Sequence, residues 1–294
     1  MYIITGATGN TGQHITRTLL SHGARVRAVG RDAERLKPLA ALGAETFVGA
    51  AEDVKSMTRA FAGATAVYTL VPNPYSAAQV RNAQNAVSQA YAGAIKANKV
   101  RYVVNHSGAG AHLAENFGPV NSLYDQEQCL NQISDTHVLH LRAGFFMENQ
   151  FFNTALIRSQ GINGSPLRAE LAIPMIATQD IAAVAVQHLL ALDFSGKSAI
   201  ELLGQRDISM QEATRILGVA IGKPELPYVQ FGYEDAHAAM VGMGLSTDMA
   251  DGLIELYRYI NDHNYPHLEV RSTKNTTPTR FEDFAKGFAT VYGK

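Results

Sequence analysis

Short apolar runs alternate with longer amphipathic stretches through the first half of the chain. The runs at 2–5, 26–29, 46–48, 66–71, 101–105 and 138–141 have strand length and are rich in Val, Ile and Tyr. Between them, helical periodicity covers 11–21, 32–41, 53–61, 77–97 and 122–133. Gly23, Gly43 and Gly63 follow three of these stretches, where a left-handed C-terminal cap favours glycine. Pro38 lies inside the second helix, which is therefore expected to split into two short turns. Strands that alternate with helices imply right-handed crossovers and a parallel, doubly wound sheet.

The second half reads differently. Strand-like runs are fewer, at 171–176, 200–203 and 227–231, and helices dominate. Ser209-Met210-Gln211-Glu212 and Thr279-Arg280-Phe281-Glu282 have capping-box spacing, so each predicts a helix start. Phe281, Phe284, Phe288 and Val291 form a core stripe on the last helix. The expectation is a dinucleotide-binding domain over 1–150 and a smaller α/β substrate lobe over 151–294. The boundary is soft, because strands of the second part are free to return to the sheet.

Composition narrows the partners. The chain has 294 residues, enough to bury a sizeable core, and 46% of them are hydrophobic. Lys plus Arg number 25 against 26 Asp plus Glu, and no basic run occurs. That balance gives no footprint for direct nucleic-acid binding. No charged and apolar leader opens the sequence, and no apolar run reaches membrane-span length. The lone cysteine, Cys129, fits a reducing compartment, so a cytoplasmic protein is expected. No histidine or cysteine constellation has metal-ligand spacing.

The most specific chemistry lies at the start. Gly6-Ala7-Thr8-Gly9-Asn10-Thr11-Gly12 falls between the first strand and the first helix. Gly6 allows the tight turn, Gly9 lets backbone approach a pyrophosphate, and Gly12 lets helix and strand pack closely. Thr8, Asn10 and Thr11 complete the expected cradle, which marks a Rossmann-type fold binding a dinucleotide. An NAD-specific site would place Asp or Glu at the end of the second strand. Here Arg31 stands there, with the planar fork that suits a 2′-phosphate, and Lys37 is a second candidate. NADP(H) is expected over NAD(H). Asp32 reads as a helix N-cap rather than a ribose ligand.

With Val29-Gly30-Arg31-Asp32, Leu141-Arg142-Ala143-Gly144-Phe145-Phe146-Met147-Glu148-Asn149 and Gln179-Asp180-Ile181-Ala182 added, the chain resembles the NmrA-like group of atypical short-chain dehydrogenases/reductases. The likeness runs over nearly the whole chain. It implies a reductase of quinones or dyes, a reductase of aromatic metabolites, or a non-catalytic redox sensor. The wider superfamily's Tyr-x-x-x-Lys is degraded here to Tyr124-Asp125-Gln126-Glu127-Gln128. Counting back from Arg142 puts Gln128 where the group often carries Glu. Tyr124 and Ser107 remain as candidate catalytic groups; Ser107 is also a candidate nicotinamide contact.

Strand order places Val71, Pro72 and Asn73 beside the cofactor, together with Gly144 and Phe145. Phe146, Met147, Asn149 and Phe152, with Phe151, are expected to wall a substrate pocket. Arg142 reads as half of a buried pair, His106 as structural ahead of an active-site role, and Asp180 as a cap or brace for its helix. An intact nucleotide turn beside a degraded acid–base motif points to direct hydride donation to a small electron-poor acceptor. An NADP(H)-reading sensor with a protein partner, or a nucleotide-sugar epimerase or dehydratase, are the competing readings. A homodimer is left open.

Overall fold

The computed structural model describes residues 1–293; Lys294, the last position of the expected second lobe, lies outside them. In chain order the elements are β1 (Tyr2–Ile4), α1 (Asn10–Ser21), β2 (Val26–Gly30), α2 (Ala33–Ala40), β3 (Glu45–Val48), α3 (Val54–Ala60), β4 (Ala66–Thr69), α4 (Val80–Asn98), β5 (Tyr102–Gly108), α5 (Asn121–Asn131), β6 (His137–Ala143), β7 (Phe145–Phe146) and α6 (Thr154–Gln160). There follow β8 (Asn163–Ser165), β9 (Ala172–Ile176), α7 (Thr178–Ala191), β10 (Lys197–Leu202), β11 (Asp207–Ser209), α8 (Met210–Ala220), β12 (Tyr228–Gln230), α9 (Tyr233–Gly242), α10 (Thr247–His263) and α11 (Phe281–Tyr292).

Seven parallel strands form the central sheet in the order β10-β6-β5-β4-β1-β2-β3. The order reverses between β1 and β4, so a crevice opens at their carboxyl ends. One face is covered by α1, α2 and α7, whose Ile15, Leu19, Leu36 and Ile181 pack on Ile4, Ala28 and Val104. The other is covered by α3, α4 and α5 through Met57, Tyr91 and Leu130. The chain does return to the sheet from its second half: α7 covers one face and β10 adds the seventh strand beside β6. The rest of the second half builds its own core around Ile173, Met175, Leu217, Phe281 and Phe288, with a parallel pair β12-β8 and a three-stranded sheet β11-β9-β7 whose β7 comes from the first half.

Several sequence expectations change in detail. Pro38 does not split α2, which runs unbroken over Ala33–Ala40. The helix is only eight residues long, and its exposed Pro38 sits near its end, where one lost bond is tolerated. Asp32 caps it as read, accepting from the Glu34 and Arg35 amides. Ser209 caps α8 through the Glu212 amide, whereas Thr279 does not cap α11. Its amide and hydroxyl instead donate to the two oxygens of Asp180, at 2.9 and 2.6 Å. Asp180 therefore braces the approach to α11 rather than its own helix. Of the α11 stripe, Phe281 and Phe288 are fully buried, but Val291 is exposed where the helix runs past the core.

Candidate functional site

The glycine turn occupies the crevice between β1 and β4. Gly6 adopts a φ of +60°, and the Gly9 amide closes onto the Gly6 carbonyl at 2.9 Å. A Cβ on Gly12 would lie 2.3 Å from the Gly6 oxygen, so α1 touches the turn as closely as backbone allows. Gly9 stands as the α1 N-cap and carries no side chain to cap it; no acidic residue occupies the first turn. The first amides of α1 thus keep their partial positive charge for an outside anion.

Two arginines flank this cradle. Arg31 directly follows β2 and is exposed. Arg35, one turn into α2, donates through Nη2 to the Thr8 carbonyl at 3.1 Å. Lys37 does not reach the turn; its ammonium lies on Glu34 at 2.5 Å, with both side chains exposed. The helical rotation between 35 and 37 sends one cation to the turn and the other to solvent. Cations beside an uncapped helix start, over glycines that leave no Cβ in the way, fit a dinucleotide with an extra phosphate.

At the carboxyl end of β4, Val71 enters the core, while Pro72 is half-buried and Asn73 exposed. Asn73 accepts from the Gln84 side chain at 3.2 Å. Past β6, Gly144 is pressed against β9: a Cβ there would meet the Pro174 carbonyl at 2.7 Å. Phe145 pairs with Met175 and leans on the second core, while Phe146 stands edge-on to His106 with ring centres 5.7 Å apart. The other expected wall residues diverge. Met147 is buried in the second core, Phe151 stacks on Phe288, Asn149 is half-buried and Phe152 is 72% exposed. The tight 3₁₀ turns at Met147–Asn153 splay these neighbours, so they do not line one wall.

Strand alternation decides Ser107. Its side chain points to the α5 face of the sheet and is 1% exposed. The hydroxyl donates to Glu127 Oε1 at 2.6 Å, and Arg142 grips the same carboxylate through Nε and Nη2 at 3.0 and 2.6 Å. Ser107 is thus a buried anchor rather than an open face toward a ligand. Arg142 forms the buried pair read from the sequence, and the carboxylate raises its pKa further by hydrogen bonding. Gln128 is rotated out to solvent, and Glu127, one residue earlier, supplies the buried carboxylate. Tyr124 precedes Glu127 by one turn and is half-buried.

Two buried histidines stiffen the same strands. His106 bonds the Tyr68 hydroxyl at 2.6 Å, and His140 links Asn105 to Asn131 at 3.0 Å on each side. Burial lowers both pKa values to about 4. Both are neutral structural groups. Among the described residues, no cluster of three or more His, Cys, Asp or Glu is arranged to hold a metal, and no helix is long and apolar enough to cross a membrane.

A family model described as the NmrA-like family matches residues 2–285. The chain belongs to the NmrA-like family. It is 29% identical, over 295 aligned positions spanning all of this chain and 99% of the other, to an NAD(P)H azoreductase of Xenophilus azovorans. The structure also superposes on triphenylmethane reductase of Citrobacter sp. complexed with NADP(H), with a TM-score of 0.80 at 18% identity over 98% of this chain and 100% of that one. It superposes on the NADPH-dependent quinone oxidoreductase QOR2 of Escherichia coli with a TM-score of 0.78 at 20% identity over 98% and 99% of the two chains. Within this NmrA-like chain, sequence reasoning missed Arg35 and Glu127. Both had a signal: Arg35 lies three residues after the Asp32 cap, and Glu127 three after Tyr124.

Proposed function

We propose that this NmrA-like protein is an NADPH-dependent reductase acting on a small electron-poor acceptor, a quinone or a dye-like aromatic. The observation that carries the reading is the uncapped glycine turn at the β1–β4 crevice with Arg31 and Arg35 beside it. The α1 amides would hold the pyrophosphate, and the two guanidinium groups the 2′-phosphate. A bound dihydronicotinamide supplies hydride. The protein's share is to hold it against β4, β5 and β6, and to keep the acceptor in contact and water out. The names of the family relatives support this reading.

The degraded Tyr-x-x-x-Lys motif sets the acceptor class. The position four after Tyr124 is Gln128, exposed and uncharged, so no lysine stands there to assist the phenol in proton transfer. Quinones and cationic dyes take hydride without such a group. Epimerase chemistry on sugar nucleotides needs it.

Fluorescence titration with NADPH and NADH, followed by addition of a quinone and an azo dye, tests the proposal. NADPH is expected to bind more tightly than NADH and to be oxidised on addition of acceptor. Tight binding without oxidation by any acceptor would shift the function to sensing the cofactor ratio. No binding of either nucleotide would overturn the reading.

A further inference from the structure

The loop between β5 and α5 carries a titratable side chain that the reading above leaves unused. Two overlapping turns, Ala111 N–H to Gly108 O at 3.0 Å and Leu113 N–H to Gly110 O at 2.9 Å, hold His112 over the carboxyl end of β5. The loop is fixed from both sides. Asn121 donates to the Leu113 carbonyl and accepts from the Phe117 amide, each at 3.0 Å. Gly110, at a φ of +95°, has Phe117 and Pro266 closed against it. Leu113 then packs on the second core, which puts His112 where the sheet edge meets that core.

Charge converges on this ring from three elements. Arg142 comes from β6, Glu127 from α5 and Glu201 from β10, where Glu201 is the cross-strand partner of Arg142. Glu201 is itself fixed, 2% exposed and accepting from the Leu268 and Glu269 amides at 2.7–2.9 Å. Glu269 adds a fourth charge behind Arg142. His112 differs from the other two histidines beside the site. His106 and His140 have hydrogen-bonded ring nitrogens, whereas the His112 Nδ1 is buried with no partner and the ring keeps part of its surface exposed. A buried polar atom left unpaired is costly and calls for a functional reason.

We propose that His112 is the proton donor to the acceptor, an assignment that rests on the reductase reading. Reduction of a quinone needs one hydride and one proton. The hydride forms a bond at one end of the conjugated system, and the displaced electron pair moves to the carbonyl oxygen at the other end. That oxygen takes the proton from the His112 imidazolium and becomes a hydroxyl. The reduced cofactor is the species oxidised, by two electrons. The imidazole left behind regains a proton from water at its exposed edge.

The direction of the pH dependence follows. Burial first, then Arg142, lower the His112 pKa below 6.5, with Glu201 and Glu127 opposing. The protonated donor is therefore depleted as pH rises through that lowered value, and kcat/KM for 1,4-naphthoquinone is expected to fall with it. His112→Gln is expected to lose this dependence and about 10²-fold in kcat, the lower end of what a general acid contributes. Added imidazole is expected to restore part of the rate to His112→Ala. A readout without cofactor accompanies these: the ring-proton NMR signal absent from His112→Gln is expected to titrate below 6.5 and to shift when naphthoquinone is added. NADPH binding by fluorescence checks that both variants are folded. An active wild type whose pH profile and rate survive His112→Gln would overturn His112 alone, as would a ring signal that naphthoquinone leaves unmoved. A wild type that reduces no acceptor would overturn both this assignment and the reductase reading.

Discussion

Arg142 grips Glu127 through two hydrogen bonds, Nε to Oε1 at 3.0 Å and Nη2 to Oε2 at 2.6 Å, with side chains 15% and 3% exposed. The pair ties β6 to α5, and Ser107 ties β5 into the same carboxylate. Three elements that border the candidate nicotinamide site are thus locked by one anion. Glu127→Ala would leave a mostly buried guanidinium unpaired. The expected cost is about 3–5 kcal/mol of stability, read as a lower denaturant midpoint. Ser107→Ala removes only one hydrogen bond to a charged group and is expected to cost about 1.5–3 kcal/mol. Equal losses in the two variants would contradict the hierarchy.

Gly12→Ala isolates the turn. The new Cβ would sit 2.3 Å from the Gly6 oxygen and 2.8 Å from the Ala7 Cα, and neither backbone atom has room to yield. The turn must open, and the α1 amides lose their aim. NADPH affinity measured by fluorescence is expected to fall at least about tenfold, the equivalent of about 1.4 kcal/mol. A variant that binds as the wild type does would remove the turn from the site.

Arg31 and Arg35 should act on one phosphate only. Each charge-assisted hydrogen bond is worth about 1.5–3 kcal/mol, so Arg31→Ala is expected to weaken NADPH by about 10- to 100-fold while leaving NADH nearly unchanged. Arg35→Ala should behave alike but also loosen the Thr8 carbonyl contact. Lys37→Ala, whose partner is Glu34, should leave both affinities in place. Parallel titrations of the three variants with both nucleotides decide the point.

Acid should destabilise the protein before its carboxylates titrate. His106 and His140 have folded pKa values of about 4, below the 6.5 of an open chain. Between those limits the unfolded chain binds more protons, so stability is full above 6.5 and is lost as pH falls toward 4. At pH 5 the excess is about two protons, a slope of about 2.7 kcal/mol per pH unit. Urea unfolding from pH 7 to 4.5 would show it, and His140→Gln should remove about half. A flat profile would mean that the two rings are solvated.

The sequence legibly carried the elements whose signals are local. The glycine turn, the Asp32 and Ser209 caps and the alternation of apolar runs all depend on spacing within one strand or helix, and each recurs in the structure. Thr279 shows where such signals stop. Its capping-box spacing was genuine, but Asp180, 99 residues away in sequence, offers a carboxylate that takes both the hydroxyl and the amide.

What the sequence by itself determined is the opening of the first half: a strand, a glycine turn and a helix start are contiguous, so their geometry follows from neighbours along the chain. The tertiary structure alone decided which acid meets Arg142, which cation reaches the turn, which aromatics are core, and that His112 shares a corner with Glu201. Those pairings depend on helix rotation and strand register between distant segments, where one residue's shift moves a side chain from core to solvent.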